Sequence, residues 1–285
     1  MPEQVITLEL RRWIVAQAEA GCPPDVVIAS MVGSGWTEAV AVQAMESTLS
    51  ERLNEIATER RIASQPAGPV PEPDLAGSPN ACVIDGHTVQ VLLTMQRPRV
   101  VVFGNLLTHA ECDTLVEQAR PRLSRSETVD TATGGSEVNL ARTSDGMFFA
   151  RGESGVVDRV ERRIAALLRW PLDHGEGLQV LRYRPGAEYR PHHDYFDPER
   201  PGTAPVLARG GQRVGTVVMY LSAPESGGAT TFPDVGLDVA PVKGHAVFFS
   251  YDRPHPSTRT LHGGAPVLAG EKWVATKWLR ERRFD

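Results

Sequence analysis

The sequence has few cysteines and no long apolar run. Its 285 residues include three cysteines, Cys22, Cys82 and Cys112, which are widely spaced and form no CxxC pair. This excludes a disulfide framework and indicates a reducing compartment. The first residues show no basic segment followed by an apolar one, and no run approaches the roughly 18 apolar residues of a membrane span. We therefore expect a cytoplasmic protein without a signal peptide or a membrane partner.

Basic residues are also scarce. Lys and Arg number 30 against 35 Asp and Glu, which gives a net charge of −5. This balance argues against a general binder of nucleic acids or other polyanions. Gly and Pro, by contrast, are abundant, with 26 and 22 residues. That content predicts many turns and favours a β-rich body over a helical bundle.

A proline-rich stretch divides the chain unequally. Residues 64–79, SQPAGPVPEPDLAGSP, hold five prolines in sixteen positions and few large apolar side chains. Such a segment forms neither a helix nor a packed strand, and we interpret it as a semi-extended linker. Residues 1–63 show apolar residues at helical spacing, with breaks at Gly21 and at Gly33-Ser34-Gly35. They predict a three-helix module that serves packing or dimerisation or, alternatively, docks a partner or substrate.

Residues 80–285 change from a helical to a strand-rich pattern. Helices are predicted at 108–120, where Thr108 and Glu111 make a capping box, and at 156–170. An apolar strand is predicted at 99–103. Further strands, separated by Gly- and Pro-rich turns, are predicted at 179–183, 213–222, 229–232, 246–250 and 272–279. Helices followed by many short strands predict an α+β fold whose body is a double-sheet jelly roll or barrel.

The residues that point to chemistry are centred on His192 and Asp194. They end a strand-like stretch, and residues i and i+2 of a strand point to the same side, so the two side chains converge while His193 points away. His262 is the candidate third ligand. Two His and one carboxylate leave coordination positions open, as a non-haem Fe(II) oxygenase requires, whereas a structural zinc site has four protein ligands. The His-x-Asp pattern alone is common by chance.

A lysine ten residues after His262 adds a second element to this pattern. Lys272 lies in a predicted strand, where burying an ammonium group is costly unless the group meets an anion. A dicarboxylate that chelates a metal at one end would present its other carboxylate to such a lysine. The alternative is that Lys272 faces outward from an alternating strand.

In these residues and their surroundings the sequence resembles the prolyl 4-hydroxylase branch of the Fe(II)- and 2-oxoglutarate-dependent dioxygenases. The resemblance spans residues 98–281 in seven blocks that keep one order. The blocks are 98–102 with the Glu111-Cys112 helix, 142–149, 179–183, 192–196, 211–214 with 219–222, 227–233 and 261–278. The resemblance implies a double-stranded β-helix oxygenase core with supporting helices. It also implies Fe(II), 2-oxoglutarate and O2 as cofactor and co-substrates, with ascorbate as a candidate reductant.

The resemblance further implies roles at the metal and the co-substrate. Lys272 would pair with the distal carboxylate of 2-oxoglutarate. Tyr183 and Thr230 would donate hydrogen bonds to the same group, and Thr216 is the alternative to Thr230. The implied Fe(II) ligands, which are also the implied catalytic residues, are His192, Asp194 and His262.

A substrate groove beside the iron is implied by the same resemblance. Aromatic and Arg side chains suit an extended proline-rich peptide, which docks on flat aromatic faces. Two departures, Ala229 where the family often has Glu and Arg280 where it often has His, affect this groove rather than the metal. Residues 197–211 are expected to form a mobile loop that closes over substrate, with a plain surface connection as the alternative. The candidate groove residues, each with a structural role as its alternative, are Arg142, Ser144, Glu176, Tyr189, Arg213 and Trp278.

We therefore expect an enzyme that hydroxylates a prolyl residue of a peptide or protein to 4-hydroxyproline, with release of succinate and CO2. One alternative keeps this chemistry and changes the substrate to a free amino acid or other small molecule. Another is a docking or oxygen-sensing protein in which the N-terminal helices carry the main role. The sequence leaves the oligomeric state open, a homodimer included.

Overall fold

The computed structural model describes residues 4–63, 68–126, 128–129, 136–137 and 142–285. The chain divides into two compact units, Met1–Pro66 and Ala67–Asp285. Within the described residues, no helix is both long enough and apolar enough to span a bilayer.

The described residues of the first unit, 4–63, form three helices, where the sequence predicts three. They are α1 (Leu8–Glu19), α2 (Pro24–Gly33) and α3 (Glu38–Ala63). The side chain of Thr7 caps α1 by accepting a hydrogen bond from the backbone of Leu10. The small core of this unit contains Ile14, Met31, Ala41 and Ala44.

The described part of the second unit combines three α-helices with many short strands. The helices are α4 (His109–Ala119), α5 (Gly155–Leu168) and α6 (Ala204–Ala208). The strands are β1 (Ala81–Ile84), β2 (His87–Met95), β3 (Arg99–Gly104), β4 (Ser124–Arg125), β5 (Thr128–Val129), β6 (Ser136–Glu137), β7 (Asp145–Phe149), β8 (Leu178–Tyr183), β9 (Tyr189–His192), β10 (Arg213–Tyr220), β11 (Ser226–Gly227), β12 (Thr230–Phe232), β13 (Leu237–Val239), β14 (Ala246–Ser250), β15 (His262–Gly264), β16 (Val267–Ala269) and β17 (Lys272–Arg280). Single 3-10 turns lie at Arg120–Arg122, Leu172–His174, Pro201–Thr203, Pro233–Val235 and Pro256–Thr258.

These strands form two principal antiparallel sheets. Over the described residues, the large sheet has the order β1-β2-β3-β14-β10-β17-β8-β7-β4 and the small sheet the order β13-β12-β15-β9. Side chains from both sheets share one core, in which Val100 and Val274 of the large sheet pack with Phe232 of the small one. Two sheets that face each other across such a core make a jelly roll, and with the helices they confirm the predicted α+β fold.

Alternation along the large sheet separates this inner core from a second one. On β17, Trp273, Ala275 and Leu279 pack in the core that α4 and α5 cover. Lys272 and Val274 lie on the opposite face and line the cavity between the sheets. All nine residues of β17 are buried because this strand is covered on both faces.

The end of the proline-rich stretch differs from the expected linker. Pro71 and Pro73 are buried, and the carboxylate of Glu72 accepts two hydrogen bonds of 3.0 Å from Nε of Arg99. The backbone N–H of Glu72 donates to the carbonyl of Leu168 at 3.0 Å. Residues 71–73 therefore pack within the second unit, as an extended segment of the kind that proline favours. Residues 64–67 of the expected linker lie outside the described residues.

Candidate active site

Three potential ligands converge where the small sheet meets the inner core. His192 on β9 lies directly opposite His262 on β15, and Asp194 follows β9 by two residues. The Nε2 atom of His192 lies 3.7 Å from Oδ1 of Asp194, and Nε2 of His262 lies 3.5 Å from its Oδ2. One ligand atom from each residue falls within 4.8 Å of the others. Two nitrogens and one carboxylate oxygen in this arrangement suit an Fe(II) ion with open positions.

Both imidazoles are held in the same way. Nδ1 of His192 lies 2.9 Å from the carbonyl of Arg190, and Nδ1 of His262 lies 2.9 Å from the carbonyl of Thr260. A carbonyl only accepts hydrogen bonds, so each Nδ1 carries the proton and each Nε2 keeps a free lone pair. Burial lowers the pKa of His262 to about 4, so this imidazole is neutral at pH 7. Both Nε2 atoms are thus available to a metal.

The carboxylate of Asp194 is held by a short hydrogen-bond chain. The Thr216 hydroxyl donates to Oδ2 of Asp194 at 2.7 Å and lies 3.0 Å from the Tyr251 hydroxyl. Since Thr216 has a single proton, Tyr251 is the donor in the second bond. Burial opposes ionisation of Asp194, but neighbouring His262, His192 and Arg213 hold its pKa well below the usual range. Asp194 is therefore an ionised, oriented carboxylate that could serve as a metal ligand.

Lys272 brings a buried positive charge to the same cavity. Its side chain pairs across β17 and β8 with Tyr183, and the residue is only 4% exposed. Among the described residues, no carboxylate or other acceptor bonds its ammonium, which lies over the rings of Tyr183 and Tyr220 at 5.4 and 5.8 Å. Burial lowers the pKa of Lys272 to about 8. The outward-facing alternative is wrong, and a buried ammonium without a counterion points to an anionic ligand.

The two candidate threonines have different surroundings. Thr230 lines the cavity with Lys272 and Tyr183, and its hydroxyl accepts a hydrogen bond of 2.8 Å from the Tyr220 hydroxyl. Its own proton is therefore free to donate into the cavity. Thr216 instead bonds Asp194. The geometry thus favours Thr230 over Thr216 as a donor to a co-substrate.

Half of the predicted groove residues lie in the cavity wall, namely Arg142, Tyr189 and Trp278. The Tyr189 ring stacks on His192 with centroids 3.7 Å apart, and the Arg142 guanidinium lies 4.9 Å from the Tyr189 centroid. Arg142 also donates to the side-chain oxygen of Gln179 at 2.7 Å. An aromatic and cationic wall of this kind continues outward from the metal ligands.

The other three groove candidates lie behind that wall. Ser144 donates to the Ser126 hydroxyl at 3.0 Å. Glu176 accepts hydrogen bonds of 2.7 and 2.9 Å from Arg213 and pairs with Nε of Arg280 at 2.7 Å. Arg280, one of the two departures from the family pattern, is thus held by a buried carboxylate. The substrate contacts expected of Ser144, Glu176 and Arg213 stay predictions.

Sequence reasoning missed the supporting residues Thr216, Tyr220 and Tyr251 in these roles. A partial signal was present, because strict alternation along the predicted strand 213–222 places Thr216 and Tyr220 on one face. The residues that contact this face could not be predicted from the sequence. Tyr251 reaches Thr216 only because β14 pairs with β10.

The loop at 197–211 lies outside the cavity wall in this structure. It contains the 3-10 turn Pro201–Thr203 and α6. The Thr203 hydroxyl is bound to the carbonyls of Asp197 and Arg200 at 2.8 and 2.7 Å. Its closure over substrate stays a prediction.

Comparison with known proteins agrees with this geometry. Residues 178–280 match the sequence model of the 2OG-Fe(II) oxygenase superfamily. The chain is 41% identical over 208 residues to prolyl 4-hydroxylase 5 of Arabidopsis thaliana, covering 66% of this chain and 70% of the relative. It is 42% identical over 202 residues to prolyl 4-hydroxylase 1 of the same plant, covering 65% and 70%.

Among solved structures, the viral collagen prolyl hydroxylase of Paramecium Bursaria Chlorella virus-1, in its 2OG complex, is similar at 30% identity. The similarity covers 64% of this chain and 94% of that chain, with a TM-score of 0.49. From the curated relatives and the ligand geometry together, the chain belongs to the prolyl 4-hydroxylase family of 2OG-Fe(II) oxygenases.

Proposed function

We propose that this protein hydroxylates a prolyl residue of a peptide or protein, using Fe(II), 2-oxoglutarate and O2. The observation that carries the proposal is the buried, unpaired ammonium of Lys272 in the same cavity as the His192, Asp194 and His262 triad. A metal site beside an anion-binding lysine is what a chelating dicarboxylate needs. The curated relatives that match 66% and 65% of this chain are named prolyl 4-hydroxylases.

The residues present fit the metal and the co-substrate. When bound, Fe(II) with 2-oxoglutarate and O2 supplies the oxidising power to hydroxylate an unactivated C–H bond, with release of succinate and CO2. The Nε2 atoms of His192 and His262 and the carboxylate of Asp194 would hold the metal. Lys272 would neutralise the distal carboxylate of 2-oxoglutarate, and the hydroxyls of Tyr183 and Thr230 would donate hydrogen bonds to it.

Apolar side chains complete the cavity between these polar groups. Leu181, Val218 and Val274 line it together with the ligands. They exclude water from the co-substrate, which strengthens the attraction between its carboxylate and Lys272 in a medium of low dielectric. Tyr220 and Tyr251, both buried, hold Thr230 and Thr216 in their hydrogen-bonded positions.

The nature of the cavity wall supports a peptide substrate over a free amino acid. Beyond the ligands the wall carries the aromatic faces of Tyr189 and Trp278 and the guanidinium of Arg142. Flat aromatic faces bind extended proline-rich chains with little ordering cost, because such chains are already stiff. The names of the curated relatives favour the same substrate class.

The test is an incubation of the purified protein with Fe(II), 2-oxoglutarate, ascorbate and synthetic peptides that each hold one proline. We expect peptide-dependent succinate and a mass gain of one oxygen on proline. Free proline is the competing substrate in a parallel reaction. Turnover of proline but not of any peptide would replace the peptide assignment with the small-molecule alternative.

Two variants test the metal assignment in the same assay. Asp194→Ala is expected to abolish both succinate and hydroxyproline, because the metal loses its anionic ligand. His193→Ala is the matched control, since His193 neighbours the ligands but stacks on Tyr195, with centroids 4.7 Å apart, outside the cavity wall. Full activity in Asp194→Ala would refute the ligand assignment.

We also propose a reducing cytoplasmic location and ascorbate as the reductant that maintains the enzyme. The three cysteines, Cys22, Cys82 and Cys112, are free thiols, which supports a reducing environment. Fractionation of cells that express the tagged protein tests the location. Turnover numbers measured with and without ascorbate test the reductant, and equal values over prolonged reaction would exclude it.

A further inference from the structure

A buried group of charged and aromatic residues lies behind the cavity wall, around Phe196. Phe196 follows the metal ligand Asp194 by two residues and is 7% exposed. The side-chain amide of Gln212 forms two hydrogen bonds with the backbone of Phe196. It accepts from the Phe196 N–H at 2.8 Å and donates to the Phe196 carbonyl at 2.7 Å. The Phe196 ring lies between two guanidinium groups, at 4.8 Å from Arg213 and 5.1 Å from Arg280.

Arg280 connects this group to three other parts of the second unit. It is 2% exposed, and its Nη1 donates to the carbonyl of Gly211 at 2.6 Å, where the 197–211 loop ends. Its guanidinium also lies 5.1 Å from the ring of Phe284 near the C-terminus. Through the carboxylate of Glu176, it is joined to Arg213.

Arg213 is the part of this group that reaches the cavity wall. Its guanidinium lies 3.9 Å from the centroid of Trp278, and Nη1 is 3.5 Å from the carbonyl of Asp194. Glu176 holds Arg213 through two hydrogen bonds, while Lys277 and the backbone of Trp278 hold the main chain of Glu176. A shift of Glu176 therefore moves the guanidinium on which the Trp278 ring packs.

We propose that Arg280 is a positioning residue for substrate binding. It holds Phe196 directly, and through Glu176 it holds the Arg213 guanidinium and Trp278 ring in the places that the peptide groove requires. This inference rests on the proposed function for the identity of the substrate. The side-chain atoms of the three ligands have their own hydrogen-bond partners, the Thr216 hydroxyl and the carbonyls of Arg190 and Thr260. The group around Phe196 contacts Asp194 through the backbone carbonyl of that residue, which accepts from Arg213.

The balance of charges in this group makes Arg280 a better residue to substitute than Glu176. Glu176 is shared by two guanidinium groups, so loss of Arg280 leaves a neutral, hydrogen-bonded pair with Arg213. Loss of Glu176 would instead leave two like charges buried together, which disrupts folding. Arg280→Gln removes the charge. Arg280→Lys keeps it, but a single ammonium cannot both pair with Glu176, as Nε does, and donate to Gly211, as Nη1 does.

The first experiment measures the anchoring itself by hydrogen exchange of the metal-free protein. In Arg280→Gln we expect exchange at residues 195–212 to be at least about tenfold faster, with an intermediate rate in Arg280→Lys. The matched control is Arg282→Gln, an exposed arginine whose Nη2 lies 3.4 Å from the carbonyl of Leu207. Unchanged exchange at Phe196 in Arg280→Gln would overturn the proposal.

The second experiment measures peptide turnover and Mn(II) affinity in the same variants. For Arg280→Gln we expect the peptide KM to rise roughly 10- to 100-fold, more succinate per hydroxyproline, and a Mn(II) Kd within about twofold of the wild type. Arg280→Lys recovers part of the loss, and Arg282→Gln matches the wild type. An unchanged KM and coupling ratio, or an equal loss of Mn(II) binding, would contradict a positioning role. A wild type without any peptide-dependent succinate refutes the proposed function instead, while the exchange experiment still decides the anchoring.

Discussion

Replacement of Lys272 by Met is expected to stabilise the protein while it removes co-substrate binding. Burial lowers the pKa of Lys272 from 10.5 to about 8. At about 1.4 kcal/mol for each tenfold change in proton affinity, the buried charge costs the folded state roughly 3 kcal/mol at pH 7. Met has a similar shape and no charge. At roughly 2–4 °C per kcal/mol for a domain of this size, the midpoint of thermal unfolding should rise by about 6–12 °C.

Thermal unfolding followed by circular dichroism, with and without 2-oxoglutarate and Mn(II) under anaerobic conditions, measures both effects. The co-substrate should raise the midpoint of the wild type and leave Lys272→Met nearly unchanged, because the two hydroxyls of Tyr183 and Thr230 cannot replace the positive charge that balances its distal carboxylate. The stability difference has a defined pH dependence. Its full size is present below about pH 8, and it shrinks as the pH rises towards 10.5, where the unfolded chain also loses the proton.

Lys277→Met on the same strand is the matched control. Lys277 faces the helices, and its ammonium donates to Glu161 at 2.5 Å, with both side chains 2% exposed. Removing it leaves a buried carboxylate unpaired, which should destabilise the protein by roughly 3–5 kcal/mol. The two substitutions thus have opposite expected signs. If Lys272→Met unfolded below the wild type in the absence of ligand, the reasoning about an uncompensated charge would be wrong.

Three further predictions concern Thr216, Lys272 and Glu111. Thr216→Val, which removes the donor to Asp194, should weaken Mn(II) binding about 10- to 100-fold in a calorimetric titration, and an unchanged Kd would show that this bond does not orient the ligand. Binding of 2-oxoglutarate to the Mn(II)-loaded protein should weaken as the pH rises above about 8, where free Lys272 loses its proton, and a flat profile would argue against ion pairing. Burial opposes ionisation of Glu111, but Arg163 and the Thr108 N–H lower its pKa to about 2. The contribution of ionised Glu111 to the free energy of unfolding is therefore present above pH 4.5 and is lost as the pH falls towards 2. In urea unfolding, Glu111→Gln should lower that free energy by roughly 2–3 kcal/mol at pH 7 but by little at pH 2.

His192, Asp194 and Lys272 were predictable as candidate site residues because each depends on a local rule. Alternation of side chains in a strand places His192 and Asp194 together, and the rarity of a buried lysine marks Lys272. The order of the matched blocks then brings His262 into the set. The structure brings all four residues into one cavity, as expected.

Other features depended on contacts between distant segments. The packing of Pro71 and Pro73 was not predictable, since their composition alone is typical of a solvated linker. The pairing of Glu176 with Arg213 and Arg280 was likewise hidden, because it joins a loop to two strands far apart in sequence.

The sequence by itself thus determined the fold class and the candidate ligand types, because periodicity and residue chemistry are local properties. It left open whether Lys272 faces outward, and only the burial of this residue in the cavity decided that. Only the tertiary structure decided which threonine faces the cavity and which holds Asp194. The reason is that β10 lies between β14 and β17 in the sheet, and this order places Thr216 beside Tyr251 and the metal ligand. Such neighbours come from sheet topology, which no stretch of sequence specifies alone.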